Sequence, residues 1–294
     1  MDRYNRHQTY HFALKQLIIV AGPTAVGKTA HAIELAQKYG TEIVSCDSRQ
    51  FYRELNIGVA RPSLDELNAV PHHFIACRSV EQPYNVYDYE HDAMMVVNTL
   101  FQSHDVVIAV GGSGLYIDSL VNGINYMPDP APGLRERLTN DIAEGKLPEM
   151  LDKLRELDPE YYAVVDHSNP IRIQRALEVI LTSGKTYTSF ISKPLKNRDF
   201  DIKTIVLERS REELRDRINR RVDQMIDDGL LEEAKSLIHL RKLNTLNTVG
   251  YKEIFDHIDG KCSLPEAIVE IKNHTWQYAR KQLNWLKRYM RQEG

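Results

Sequence analysis

The chain has 294 residues, a formal net charge of −3, and 42% hydrophobic against 27% charged residues. That balance suits a soluble globular protein of one large or two modest domains, and it excludes a polycation binding nucleic acid through global charge. No apolar run reaches the roughly eighteen residues of a membrane span. Cys46, Cys77 and Cys262 are too widely spaced for a disulfide framework or a zinc site.

The segment from Met1 to Phe12 is polar and lacks the apolar core of a signal peptide, so the cytoplasm is the expected compartment. The first strand is expected at Gln16–Val20. It leads into Gly22-Pro23-Thr24-Ala25-Val26-Gly27-Lys28-Thr29, which opens a helix over Thr29–Tyr39. This is a G-x-x-x-x-G-K-[ST] phosphate loop in its strand–loop–helix context. Glycines at both ends let successive N–H groups point inward at phosphate oxygens, and the helix start adds its positive dipole end. Lys28 brings a mobile cation, and the Thr29 hydroxyl can ligate Mg²⁺.

A second strand at Glu42–Ser45 ends on Cys46-Asp47-Ser48-Arg49-Gln50. Asp47 there is a candidate general base or a water-mediated Mg²⁺ ligand; the plainer alternative is a loop cap. His72-His73 looks like half a metal site, but no carboxylate or cysteine partner has suitable spacing, so a packing or hydrogen-bonding role is expected. A helix over Asp88–Ser103 precedes the strand Val106–Val110. The turn Gly111-Gly112-Ser113-Gly114-Leu115-Tyr116 follows, and its glycines imply close approach to a ligand or to another segment.

The proline-rich hinge Met127–Gly133 opens a charged helical block from Leu134 to about Ser192. A loop over Lys193–Asp201 returns to a strand at Lys203–Leu207 and a helix at Arg211–Asp227. Arg172 and Arg175 form one arginine group, and Arg217, Arg220 and Arg221 form another. Such groups suit phosphates, or else they are solvated faces paired with Glu178 and Asp223. The last helix is expected over Pro265–Met290, with Ile268, Ile271, Thr275, Ala279, Leu283, Leu286 and Met290 as its buried stripe. Arg280, Lys281, Lys287, Arg288 and Arg291, interleaved with Tyr278, Trp285 and Tyr289, suit RNA or a plain charged outer face.

The alternation of strands and helices predicts an α/β fold: a P-loop NTPase-like parallel sheet flanked by helices, with a helical insertion domain. The core is expected over residues 1–127 and 201–294 and the insertion over 128–200.

With these motifs in order from residue 16 to about 290, the chain resembles the tRNA dimethylallyltransferases, also called tRNA isopentenyltransferases, of bacterial type. The resemblance rests on Gly22–Thr29, Asp47-Ser48-Arg49-Gln50 with Tyr52, Gly58 to Pro62, Pro71-His72-His73 and Gly111–Tyr116. It continues through Arg172–Val179, Arg217–Met225, Gly250-Tyr251-Lys252-Glu253 and Tyr278–Arg288. It implies transfer of a dimethylallyl group from dimethylallyl diphosphate to N6 of the adenosine 3′-adjacent to the anticodon (position 37), with pyrophosphate leaving. It implies catalytic roles for Asp47, Thr24, Lys28 and Ser113. Diphosphate would be held by Gly22, Pro23, Thr24, Ala25, Val26, Gly27, Lys28 and Thr29 together with Arg217 and Arg221, and Mg²⁺ would sit on Thr29. The implied tRNA contacts are Asp47, Ser48, Arg49, Gln50 and Ser113, then Arg135, Ile171, Arg172, Ile173, Gln174 and Arg175. Asn247, Thr248, Val249, Gly250, Tyr251 and Lys252 complete them.

The implied partner is the anticodon stem-loop of tRNA, met by a monomer away from any membrane. Ser113 stands where the family usually has threonine, Gly58-Val59-Ala60-Arg61-Pro62 replaces the commoner Gly-Thr-Ala-Lys-Pro, and Asn247-Thr248-Val249 replaces a more usual stretch. Outside the resemblance, a phosphate loop also fits a small-molecule or nucleotide kinase, or an RNA-binding module that uses nucleotide as a switch.

Overall fold

The computed structural model describes residues 15–192 and 196–290. The polar N-terminal segment, Arg291 and the first residues of the return loop lie outside that range. The described chain divides into two compact units, one from residues up to Asn122 and from Arg198 onward, the other over Gly123–Asn197.

The first unit is built on β1 (Gln16–Ala21), α1 (Lys28–Tyr39), β2 (Ile43–Ser45), α2 (Leu64–Ala69), β3 (His72–His73), α3 (Val86–Leu100), β4 (Val106–Gly111) and α4 (Gly114–Asn122). The second unit holds α5 (Leu134–Ala143), α6 (Leu147–Leu157), α7 (Pro159–Val164), α8 (Pro170–Ser183) and α9 (Thr188–Ile191). The chain then returns to the first unit with β5 (Asp201–Val206), α10 (Arg211–Asp227), α11 (Leu230–Ser236), α12 (Tyr251–Ile258) and α13 (Leu264–Met290). No helix among the described residues is long and apolar enough to cross a membrane.

The five strands form one parallel sheet in the order β3-β2-β4-β1-β5. β1 is apolar from Leu17 to Ala21 because helices cover both sheet faces. Leu17, Ile19 and Ala21 join a core with α3, α4 and the end of α13, while Ile18 and Val20 face Ala32 and Ala36 of α1. The strand was too short to predict at His72–His73. Its two residues pair with Ile43 and Val44 of β2, and His73 Nε2 meets Glu42 Oε2 at 2.6 Å. The hydrogen-bonding reading of the two histidines therefore holds.

The insertion has its own core, in which Leu134, Leu138, Met150, Leu154, Ile173, Ala176 and Leu177 pack together. Its limits differ from the expected 128–200. Arg198 and Phe200 belong to the first unit, because Phe200 packs on Phe101 and Arg198 pairs with buried Glu90 at 2.9 Å while donating to the Ser119 and Leu120 carbonyls. Removing one partner of a buried pair leaves a desolvated charge. The Arg198→Met variant should therefore lose about 3–5 kcal/mol of stability, read by denaturant unfolding. A loss within the range of a surface ion pair would show the pair to be dispensable.

Candidate active site

The carboxyl ends of β1, β2 and β4 converge, as parallel sheets require of their ligand-binding edge. From them leave the phosphate loop, the Asp47 loop and the glycine turn. A cleft of about 750 Å³ opens there, lined by Thr24, Lys28, Thr29, Asp47, Arg217 and Arg221 among others.

The loop curls through two left-handed positions, Ala25 at φ 64° and Gly27 at φ 108°. Gly27 suits this geometry, whereas Ala25 is strained, a feature that concentrates at functional sites. Val26 is buried with Leu214 and Ile218 of α10, so packing holds the loop from behind. Arg217 and Arg221, four residues apart on α10, share a face. Arg217 Nε donates to the Ala25 carbonyl at 2.7 Å, and Arg221 donates to Thr24 Oγ1 at 3.3 Å. Arg220 turns outward and pairs with Asp216, while Asp223 pairs with Lys272. The arginine group thus splits by helix face.

Lys28 Nζ donates to the Pro23 carbonyl at 2.8 Å. Burial brings its ammonium down to about 8, opposed by the Asp47 carboxylate and reinforced by Arg221. Burial, with Asp47 beside it, pushes the Cys46 thiol up to about 12, so Cys46 is no thiolate nucleophile here.

Asp47 caps its own loop, one carboxylate oxygen accepting the Arg49 N–H at 2.9 Å, and its side chain also lines the cleft with Lys28. The Ser113 hydroxyl joins this loop from the glycine turn, accepting from the Ser48 N–H and donating to Ser48 Oγ, both at 3.2 Å.

The glycine turn comes close to protein rather than to open space. A Cβ at Gly112 would stand 2.3 Å from Gln282, and one at Gly114 would stand 2.3 Å from Trp285. Gln282 on α13 is buried, accepts the Thr24 N–H at 2.8 Å and donates to the Gly112 carbonyl at 2.9 Å. It ties the phosphate loop to the turn, and sequence reading missed it. Its position within the buried face of a 27-residue helix was the available signal. Replacing Gln282 by leucine should lower turnover by about tenfold or more, because a shift in a positioned loop is magnified at the reacting atoms. Steady-state rates check this, and unchanged rates would make the bridge dispensable.

Asn247, Thr248, Val249, Gly250 and Lys252 line the cleft, as do Ser48, Arg49 and Gln50. Gly250 sits at φ 99°, and its N–H donates to Glu253 Oε2 at 2.8 Å. The other Glu253 oxygen meets His274 Nδ1 at 2.6 Å.

Two expected tRNA contacts are corrected. Tyr251 is fully buried and bonds Glu233, and Ile173 is fully buried in the insertion core, so neither presents a surface to RNA. Ile171 and Arg172 are exposed at the start of α8. Arg135 binds buried Glu178 through Nε and a terminal nitrogen, both at 2.9 Å, and Arg175 reaches the same carboxylate at 3.3 Å. Gln174 donates to it as well, at 3.2 Å. These residues belong to the insertion, whereas the loop, Asp47 and Asn247–Lys252 belong to the first unit.

The α13 stripe is buried at Ile271, Ala279 and Leu286, and Ile268 and Leu283 pack half-buried against the core; Ala267, Gln282 and Tyr289 are buried beside it and were not expected. Tyr289 bonds Asp118, and Arg288 pairs with Asp118 while lying over the Trp285 ring. Tyr289 is thereby tied into the fold, whereas Arg288 stays half exposed. Lys281 still lines the cleft.

Residues 50–289 match the family model described as IPP transferase. The chain belongs to the IPP transferase family. Among curated relatives in this family, it is 47% identical over 272 residues to a protein named tRNA dimethylallyltransferase 1 from Bacteroides thetaiotaomicron. The match covers 92% of this chain and 88% of the relative. A crystal structure of a tRNA isopentenylpyrophosphate transferase from Bacillus halodurans superposes with a TM-score of 0.66 at 33% identity, covering 93% of this chain and 87% of that one. A eukaryotic dimethylallyltransferase described as acting on tRNA gives a TM-score of 0.76 at 27% identity, covering 92% and 70%. For this IPP transferase family member the P-loop-like parallel sheet is thus the shared frame.

Proposed function

We propose that this chain transfers a dimethylallyl group from dimethylallyl diphosphate to N6 of the adenosine 3′-adjacent to the anticodon, position 37, in tRNA. The observation that carries the reading is one cleft holding both the phosphate loop with its cations and the Asp47 carboxylate. The relatives named or described as acting on tRNA support the acceptor.

In this scheme Lys28, Arg217 and Arg221 hold the diphosphate and stabilise the charge that builds as it leaves. The N6 nitrogen attacks the allylic carbon, a C–N bond forms, and the C–O bond breaks with its electron pair going to the diphosphate. An exocyclic amine is a very weak acid, so Asp47 takes the N6 proton as attack proceeds rather than before it. The adenine has to leave its stack to reach a cleft of this kind, as base-modifying enzymes require. The Thr29 hydroxyl would hold a Mg²⁺ ion that draws its other ligands from diphosphate and water. Among the described residues no group of three or more His, Cys, Asp or Glu gathers to hold an ion alone. Such an ion would add charge neutralisation on the leaving group. The insertion is read as the grip on the anticodon stem-loop, through phosphate and shape contacts, by a monomer working in the cytoplasm.

The deciding assay incubates the protein with Mg²⁺, dimethylallyl diphosphate and unmodified tRNA, without ATP, and measures nucleoside masses. The expected result is adenosine heavier by one dimethylallyl group at the position beside the anticodon. Folded protein giving no such product would sink the reading.

A further inference from the structure

The carboxylate of Glu233, on α11, gathers four donors from outside its own helix. The N–H groups of Asn56, Ile57 and Gly58 donate at 3.4, 2.8 and 3.1 Å, and the Tyr251 hydroxyl donates at 2.5 Å. The buried Tyr251 ring lies so close to Gly58 that a Cβ there would stand 2.5 Å from it.

These contacts bear on the cleft. Gly58 to Pro62 form one stretch of its wall, and Asn247 to Gly250, immediately before Tyr251 in α12, form another. The first stretch is held at its other side by Arg61, whose terminal nitrogen donates to the carbonyls of Tyr52, Arg53 and Leu55 at 3.0, 2.8 and 2.5 Å. Leu230, Ala234, Leu237 and Ile254 already pack α11 against α12. Apolar packing is non-directional, so it supplies cohesion without fixing where the loops point. Four charge-assisted bonds to one carboxylate supply the direction.

We propose that Glu233 and Tyr251 act as a positioning pair that sets the two wall segments, 58–62 and 247–250, relative to each other and so shapes the entry of the acceptor base. Neither residue touches a substrate. The inference rests on the acceptor reading given above. It also gives the buried Tyr251 a role in RNA modification that needs no contact with RNA.

The diphosphate groups Lys28, Arg217 and Arg221 make none of these bonds. Tyr251→Phe, which keeps the ring in place, and Glu233→Gln should therefore each lower kcat/KM for tRNA by about tenfold or more, since small displacements near reacting atoms are costly. Pyrophosphate affinity, read by calorimetry, should change by less than about twofold in both variants. Because either substitution breaks the same unit, the double variant should be no worse than the worse single one. If Glu233→Gln does not fold, Tyr251→Phe alone carries the test.

An active wild type with unchanged kcat/KM in Tyr251→Phe overturns the pair. So does a parallel loss of pyrophosphate affinity, or additive losses in the double variant. A wild type that prenylates no tRNA overturns the acceptor reading itself, which separates the two failures.

Discussion

Replacing Asp47 by asparagine is expected to cost about 10²–10⁴-fold in prenyl transfer, the usual contribution of a positioned general base. Asparagine retains an oxygen that can accept the Arg49 N–H, so the loop keeps its cap while the proton acceptor is lost. That separates the cap the carboxylate makes from the base role proposed for it. Binding of tRNA, measured by filter retention or anisotropy, should stay near wild type. The Asp47→Ala variant should lose turnover to a similar or greater extent and keep tRNA binding as well. Full turnover in the asparagine variant would remove Asp47 as the base and leave it only a cap.

Replacing Lys28 by methionine should lower kcat by about 10²–10³-fold, the scale set by removing one preorganised donor to a developing anion. A pH series adds a sharper reading. The ammonium is brought down to about 8 by burial, and a bound diphosphate would raise it again. Below about pH 8 the lysine is charged before ligand arrives, and affinity for pyrophosphate is at its full value. Above it, binding must take up a proton, so affinity should fall toward about tenfold per pH unit. The methionine variant should bind more weakly and lack this component across the same range. Identical pH profiles for variant and wild type would exclude Lys28 as the titrating group.

Most of the frame was legible because its signals are local. β1, the phosphate loop and α1 form one continuous stretch, and Arg211–Asp227 was predicted at the limits observed for α10. His72–His73 was missed as a strand because two residues carry no periodicity; only pairing with β2 makes them one. The arginines of α10 could be assigned to a helix but not to a face, since either face satisfies a three- or four-residue spacing. Packing of Leu214, Ile218 and Val222 decides that Arg217 and Arg221 reach the loop while Arg220 does not. Gln282 and Glu233 were passed over for a related reason. A polar residue on a mostly apolar helix face reads as a break in the pattern until partners 170 or more residues away in sequence are in place.

The sequence by itself determined the phosphate-loop motif and its strand–loop–helix setting, because backbone amides, a lysine and a hydroxyl at that spacing form one contiguous stretch. It also pointed to a parallel sheet, since a helix between two strands supplies the crossover that parallel pairing needs. Only the tertiary structure decided which side chains serve the site and which serve the fold. The family resemblance implies RNA contacts at Tyr251 and Ile173, yet both are fully buried among side chains that come from other segments. Burial and pairing are properties of the packed whole, so no window of sequence holds them.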